Sequence, residues 1–250
     1  TVMEFLEGEP LTERLRRSTA AGAGLGDEAL EIAHQIAMAM AAVHEKEIVH
    51  RDLKPDNIMV MPDAERPFGL RIKVLDFGAA KLGRPQDGRV KTESGAIIGT
   101  PAYMAPEQCV GKQLIDGKAD VYALGIMLYQ MLTGVLPFSA RLSFDYLAAH
   151  AREQPRSLRE LLPSVPDALL ELMRSMLAKD PEQRPTMPEV VLRLEQLLAA
   201  PSLAWSLTVR PVEAEPRPHP VPTPRRGRLP MIAAATMLLT LAGLTVAALL

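Results

Sequence analysis

A short polar stretch of this chain combines the functional groups that phosphoryl transfer requires. It occupies residues 50–57, reads HRDLKPDN, and lies between two apolar runs, 48–49 and 58–60, that we predict as short strands. Asp52 offers a carboxylate for an attacking hydroxyl, Lys54 a cation for the moving phosphoryl group, and Asn57 an oxygen ligand for magnesium. A solvated charged turn would contain the same residue types, so the stretch alone leaves two interpretations open.

A second acidic residue follows the end of another predicted strand. Residues 71–75 alternate between polar and apolar side chains and run directly into Asp76, Phe77 and Gly78. A carboxylate followed by a glycine at a strand end suits a metal ligand placed where the backbone turns sharply. We therefore expect Asp76 to be a metal ligand.

A third segment makes the order of these motifs informative. Residues 99–108 read GTPAYMAPEQ and follow both HRDLKPDN and DFG along the chain. This ordered set resembles the eukaryotic-like serine/threonine protein kinases, and GTPAYMAPEQ is similar to their bacterial branch. The resemblance covers residues 1–200 and implies an α+β, mainly α fold, the large carboxyl-terminal lobe of a protein kinase. Abundant Ala and Leu with few aromatic residues also favour a helix-dominated body.

The resemblance implies ATP and Mg²⁺ as cofactors and a role for each motif residue. Asp52 would accept the proton of the substrate hydroxyl, and Lys54 would neutralise charge on the transferred γ-phosphate. Asp76 would be the main magnesium ligand, and Asn57 would bind a second magnesium ion. Met59 would fill the space beneath the adenine ring.

The first residues resemble the hinge between the two lobes of a kinase. Residues 2–8 read VMEFLEG, and the resemblance implies that the main chain of Glu4 and Leu6 hydrogen-bonds the adenine edge. Because the hinge opens the chain, we expect the amino-terminal lobe, with its Gly-rich loop and strand lysine, to be absent. Such a chain alone is expected to hold ATP poorly and to be inactive. Residues 21–26 do not match GxGxxG, and we interpret them as a flexible connection.

Several residues are candidates for regulation by phosphorylation. A guanidinium such as that of Arg51, beside the catalytic carboxylate, suits capture of a phosphate on the activation segment, which begins at Ala79. Thr92 and Ser94 lie where related bacterial kinases carry activating phosphothreonines; a solvated loop that happens to contain hydroxyls is the alternative. Thr100 is expected to shape the pocket that receives the substrate residue.

Three further residues resemble structural positions of the family. The resemblance pairs Glu107 of the APE sequence with Arg184 of the DPEQRP sequence. A buried pair of this kind fixes geometry more surely than it adds stability. Asp120 is predicted to begin a strongly apolar helix, and it resembles the carboxylate that accepts backbone N–H bonds from the catalytic loop.

Helical spacing of apolar residues predicts additional helices around this one. One begins at Asp27, which can cap it, and continues through Val43. Others are predicted at residues 143–152, 167–178 and 188–199, separated by prolines.

The overall composition excludes some classes of function. A net charge of −2 gives no indication of nucleic-acid binding. The single cysteine, Cys109, excludes an intrachain disulfide and a multi-cysteine metal site, and we interpret it as a packing residue.

The composition of the chain changes after about residue 200. Residues 201–228 are rich in proline, end in a basic cluster, and predict a disordered juxtamembrane linker. Residues 229–250 contain no charged residue and predict a transmembrane helix, with a buried soluble helix as the alternative. The preceding arginines predict a single-pass protein of the bacterial inner membrane, with the kinase domain, residues 1–200, in the cytoplasm. A single-span kinase is compatible with a homodimer, which no residue indicates.

The function expected from these patterns is transfer of the γ-phosphate of MgATP to Ser or Thr hydroxyls of proteins, activated by autophosphorylation. A pseudokinase or signalling scaffold is the alternative; the strand lysine missing from this chain favours it, and the four motif residues Asp52, Lys54, Asn57 and Asp76 oppose it. A small-molecule kinase of the aminoglycoside-phosphotransferase type is opposed by GTPAYMAPE, which shapes a peptide-binding surface.

Overall fold

The computed structural model describes residues 6–76, 101–111, 115–138 and 142–200. All of them belong to one structural unit, Thr1–Val212. The predicted linker and transmembrane helix lie outside the described residues, as do Glu4, Thr92, Ser94 and Thr100. Within the described ranges, no helix has both the length and the apolar character needed to cross a membrane.

Helices form most of the described structure. They are α1 (Leu11–Ala20), α2 (Glu28–His44), α3 (Pro106–Cys109), α4 (Gly117–Thr133), α5 (Ser143–Arg152), α6 (Leu158–Leu161), α7 (Asp167–Met176) and α8 (Met187–Ala199). The strands are β1 (Glu9–Pro10), β2 (Ile58–Pro62) and β3 (Leu70–Val74). Short 3₁₀ turns occur at Pro55–Asn57, Pro67–Gly69, Pro101–Tyr103 and Pro181–Gln183.

The three strands form an antiparallel sheet in the order β1-β2-β3. Ile58 pairs with Val74 and Met59 with Lys73, which brings the residues after the HRDLKPDN stretch beside those before Asp76. The predicted strand at residues 48–49 is not formed. The physical reason is that the next backbone N–H groups, those of His50 and Arg51, donate to a carboxylate instead of a neighbouring strand.

Helix α4 is the centre of the core. Side chains from Val121 to Met131 are buried around almost its whole circumference, as expected for a helix enclosed by other elements. It begins at Gly117 instead of the predicted Asp120, because the side chain of Asp116 caps it by accepting the N–H of Lys118 at 2.9 Å. Helix α2 packs against α4, and α8 packs against α2.

The connection between α1 and α2 is anchored, and the prediction of a flexible connection is wrong. The N–H of Leu25 donates to Met131 O at 2.6 Å. At Gly24, a Cβ would lie 2.0 Å from Leu132 O, so this glycine permits close backbone contact with α4. Asp27 precedes α2 but makes no capping bond with its side chain, because its backbone is already helical instead of extended.

Candidate active site

One buried carboxylate organises the loop that carries the charged residues. Asp120, 1% exposed, accepts the backbone N–H of His50 through Oδ2 and that of Arg51 through Oδ1, each at 2.9 Å. His44 Nε2 also lies 2.8 Å from Asp120 Oδ2. A Cβ at Gly117 would lie 2.6 Å from His44 Nδ1, so glycine leaves room for this imidazole. Arg51 has a left-handed backbone with a φ of 65°, and the Asp120 contacts hold it in that conformation.

Asp52, Lys54 and Asn57 meet in the loop, as their spacing suggests. Lys54 Nζ donates to Asp52 Oδ2 at 2.9 Å, and Asn57 Nδ2 donates to Asp52 O at 2.7 Å. The side chain of Asp52 is 46% exposed, whereas that of Lys54 is 20% exposed and Asn57 is buried. The loop therefore exposes the carboxylate of Asp52 to solvent, whereas Lys54 and Asn57, which contact Asp52, are less exposed.

The buried imidazole of His50 joins this loop to the end of β3. Its Nε2 lies 3.0 Å from Leu75 O, and its Nδ1 accepts the N–H of Asp52 at 3.3 Å. The N–H of Leu75 in turn donates to Asn57 O at 2.8 Å, which extends the β2–β3 pairing beyond Val74. Asp76 follows immediately, exposed and with a left-handed φ of 51°. The fold thus places Asp76 beside the turn that ends in Asn57.

The donor set at this edge fits magnesium bound together with phosphate. The Nδ2 atom of Asn57 is used by Asp52, which leaves the amide oxygen for a metal, and Asp76 adds an exposed carboxylate. In the described ranges there is no group of three or more His, Cys, Asp or Glu that could hold a metal. One carboxylate and one amide suit an ion that takes its remaining ligands from phosphate and water.

Strand β1, which pairs with Met59, follows the stretch expected to bind adenine. Pro10 of β1 pairs with Met59 and Glu9 pairs with Val60. Leu6 is half-buried just upstream of β1, and Met59 is half-buried within β2. The structure therefore places Leu6 just before the strand that pairs with Met59, whereas Glu4 lies outside the described residues.

The helix of the APE sequence is connected to the loop by Gln108, which was not among the predicted site residues. Gln108 Nε2 donates to Arg51 O at 2.8 Å, while its Oε1 accepts the N–H of Ala105 at 2.9 Å. This bond is only the glutamine half of a capping box, because the methyl side chain of Ala105 cannot accept the other hydrogen bond. The contact with Arg51 could not be predicted from a local pattern, because 57 residues separate the two positions.

A sequence model described as the protein kinase domain matches residues 1–194 of this chain. The chain belongs to the protein kinase domain family. It is 44% identical over 185 residues to the serine/threonine-protein kinase Pkn1 of Myxococcus xanthus, covering 73% of this chain and 25% of that protein. It is 38% identical to pkn2 of the same organism, over 74% of this chain and 21% of that protein.

A relative from another organism has similar coverage. The serine/threonine-protein kinase PrkC of Bacillus subtilis is 37% identical over 183 residues, which is 73% of this chain and 26% of PrkC. The chain therefore spans about a quarter of the length of these curated relatives.

The described structure also contains the buried ion pair between Glu107 and Arg184 that the resemblance implies. Arg184, with no exposed side-chain surface, donates from Nη1 to Glu107 Oε1 at 2.7 Å and from Nη2 to Glu107 Oε2 at 2.9 Å. Glu107 is 4% exposed, so both charges are removed from water and depend on each other. The pair fastens α3 to the turn before α8.

Cys109 has the character of a packing residue. Burial, reinforced by the nearby Glu107 carboxylate, raises the pKa of its thiol to about 11. The thiol is therefore protonated at neutral pH, and a protonated thiol is a poor nucleophile.

Proposed function

We propose that this chain carries the catalytic region of a serine/threonine protein kinase, which transfers the γ-phosphoryl group of MgATP to Ser or Thr hydroxyls of proteins. The observation that carries the proposal is the joint placement of Asp52, Lys54 and Asn57 in one loop held by Asp120. The names of the relatives support the choice of Ser and Thr as acceptors.

The chemistry assigned to this loop is an in-line displacement at phosphorus. The exposed carboxylate of Asp52 orients the acceptor hydroxyl and takes its proton. The hydroxyl oxygen forms a bond to the γ-phosphorus while the bond from that phosphorus to the bridging oxygen of ADP breaks. Lys54, already 2.9 Å from Asp52, places its positive charge where the transferred group passes. The bond from Asn57 to Asp52 O keeps the loop in the reactive conformation.

Asp76 and Asn57 are the residues that would hold magnesium. The ion, when bound, neutralises charge on the nucleotide phosphates. The Asp76 carboxylate is exposed, and the backbone hydrogen bond from Leu75 N–H to Asn57 O brings the end of β3 next to Asn57. The main chain near Glu4 and Leu6 and the side chain of Met59 would contact adenine.

We further propose that this kinase is anchored in the bacterial inner membrane and regulated by phosphorylation. The uncharged run at residues 229–250 would span the membrane, and the arginines before it would keep the kinase domain in the cytoplasm. Thr92 and Ser94 are the proposed autophosphorylation sites and Arg51, whose side chain is exposed, would bind the resulting phosphate. Thr100 would contact the acceptor residue.

The direct test is mass spectrometry of phosphopeptides after incubation with MgATP of a full-length protein that includes an amino-terminal kinase lobe, since this chain alone is expected to be inactive. Wild type should acquire phosphate on Ser or Thr, whereas Asp52→Asn should lose at least about 1,000-fold in rate while remaining folded. Asp63→Asn is the matched control, because Asp63 lies beyond the opposite end of β2 and pairs with Arg71 at 3.6 Å. Folded wild-type protein that acquires no phosphate and phosphorylates no added protein would refute the proposed activity.

A further inference from the structure

Helix α5 carries a histidine that reaches the segment beside the candidate active site. His150 is completely buried, and its Nε2 lies 3.1 Å from Ala102 O in the 3₁₀ turn Pro101–Tyr103. Its other nitrogen, Nδ1, lies 3.0 Å from the hydroxyl oxygen of Tyr122 on α4. One imidazole therefore connects α4, α5 and this turn.

The chemistry of the partners assigns a single tautomer to His150. The carbonyl of Ala102 can only accept, so Nε2 carries the hydrogen and donates it. A neutral ring then has a lone pair at Nδ1, which accepts the hydroxyl hydrogen of Tyr122. Burial and, to a smaller extent, the charge of Lys179 lower the pKa of His150 to about 4, so the ring is neutral near pH 7.

The groups around His150 restrict its movement. The ring of Phe138 stands edge-on with its centre 4.9 Å away, and the ring of Tyr146 is stacked at 6.3 Å. Lys179 Nζ donates to His150 O at 2.8 Å and lies 4.5 Å from the centre of the Phe138 ring. These contacts hold both the backbone and the imidazole of His150, so the position of Ala102 is set by a rigid support.

The supported turn forms one wall of a small pocket beside the catalytic loop. Tyr103 and the following Met104 line this pocket together with Asp52 and Lys54. The hydroxyl of Tyr103 is itself anchored, since it donates to Gln130 Oε1 at 2.7 Å. The turn is thus held at two successive residues, by α4 through Tyr103 and by α5 through Ala102.

We propose that His150 is a positioning residue for the protein substrate. By donating to Ala102 O, it fixes the wall that the acceptor segment must pass to reach Asp52. It touches neither the reacting atoms nor the expected nucleotide contacts, so its loss should weaken productive binding of the acceptor and leave ATP turnover unchanged. This inference rests on the proposed kinase activity.

Two isosteric variants separate the bond to Ala102 from general packing. In His150→Gln the amide nitrogen reaches the position of Nε2 and can donate to Ala102 O, whereas in His150→Asn it reaches only the position of Nδ1. Both variants keep a polar side chain in the same cavity. His34→Gln is the matched control, since His34 contacts Glu195 on α8 at 3.3 Å.

The experiment uses the full-length protein with casein as the acceptor. His150→Asn should raise the KM for casein about tenfold, while acceptor-independent ATP hydrolysis and the KM for ATP stay within about twofold. His150→Gln should restore the KM for casein to within about threefold, and the His34 control should match wild type. Hydrogen exchange of the peptide containing the Met104 amide, which donates to Pro101 O at 3.1 Å, should accelerate about tenfold in His150→Asn only.

Each other outcome is decisive. A parallel fall in casein phosphorylation and ATP hydrolysis, or equal behaviour of the Asn and Gln variants, would overturn the positioning role. An inactive wild-type protein would refute the proposed function and with it the substrate role. In that case the exchange measurement would still decide whether His150 holds the turn.

Discussion

The side chain of Arg184 offers a quantitative test of how this lobe is held together, because all five of its N–H donors are used inside the protein. Nε donates to Ala178 O at 2.7 Å. Nη1 donates to Glu107 Oε1 and, at 3.0 Å, to Lys118 O. Nη2 donates to Glu107 Oε2 and, at 3.1 Å, to Lys179 O. The guanidinium thus makes a salt bridge with Glu107 and also donates hydrogen bonds to three backbone carbonyls.

Replacing Glu107 and replacing Arg184 are expected to lower the free energy of unfolding by different amounts. Glu107→Gln leaves the guanidinium charge buried without a counter-charge, and we expect a loss of about 3–5 kcal/mol in the free energy of unfolding. Arg184→Met leaves the Glu107 carboxylate buried alone and also removes the donor to the carbonyls of Ala178 and Lys179, at about 1 kcal/mol or more each, whereas Lys118 O keeps its helical bond within α4. Arg184→Met should therefore be the more destabilising change.

The assay is urea unfolding of the full-length protein followed by far-UV circular dichroism. Glu160→Gln is the control, because Glu160 pairs with Arg156 at 3.1 Å and its side chain is 57% exposed; its effect should stay below about 0.5 kcal/mol. A loss under about 1 kcal/mol in Glu107→Gln, or a smaller loss in Arg184→Met than in Glu107→Gln, would refute the reasoning.

Three other predictions follow from contacts of the fold. Asp120→Asn should lower the phosphorylation rate about 10- to 100-fold and should also lower the thermal stability, because the amide has only one acceptor oxygen for the two buried N–H groups that hold the catalytic loop; an unchanged rate would contradict the anchoring role. Gly24→Ala should destabilise the protein by about 1–3 kcal/mol in urea unfolding, because its Cβ would meet Leu132 O at 2.0 Å, and an unaltered midpoint would show that the loop can move away. Because the pKa of His150 is about 4 when folded and 6.5 ordinarily, the unfolded state binds the proton first as pH falls. The free energy of unfolding of the wild type, measured relative to that of His150→Gln, should therefore decrease by about 3 kcal/mol from pH 7 to pH 4. If the free energies of unfolding of the two proteins changed in parallel with pH, this prediction would be contradicted.

The local chemistry of the loop was predictable because its members are neighbours in the sequence. Asp52, Lys54 and Asn57 lie within six positions, so a tight turn brings them together in almost any fold. Periodicity likewise predicted α2, α5, α7 and α8 to within a few residues, because each carries its own apolar face. Glu107, Arg184 and Asp120 were singled out through the family resemblance, since no local pattern indicates their partners.

Local patterns failed where a distant group takes over a backbone contact. The apolar pair at residues 48–49 looks like a strand, but the following N–H groups donate to a side chain from α4. Residues 21–26 look like a flexible linker, but Gly24 permits a contact between two backbones that only packing creates. Local propensity describes the preference of an isolated segment, whereas contacts with α4 determine the conformation of both segments in this fold.

The sequence by itself determined the inventory of reactive groups, their spacing within the loop, and the helical character of the lobe. Tertiary structure alone decided which groups hold them: Asp120 is 70 residues from His50, Gln108 is 57 from Arg51, and His150 is 48 from Ala102. Partners so far apart meet only because helices α3, α4 and α5 pack around the loop and its neighbouring turn. A hydrogen bond requires its two atoms to lie within about 3 Å, and the packing of a whole core sets that distance.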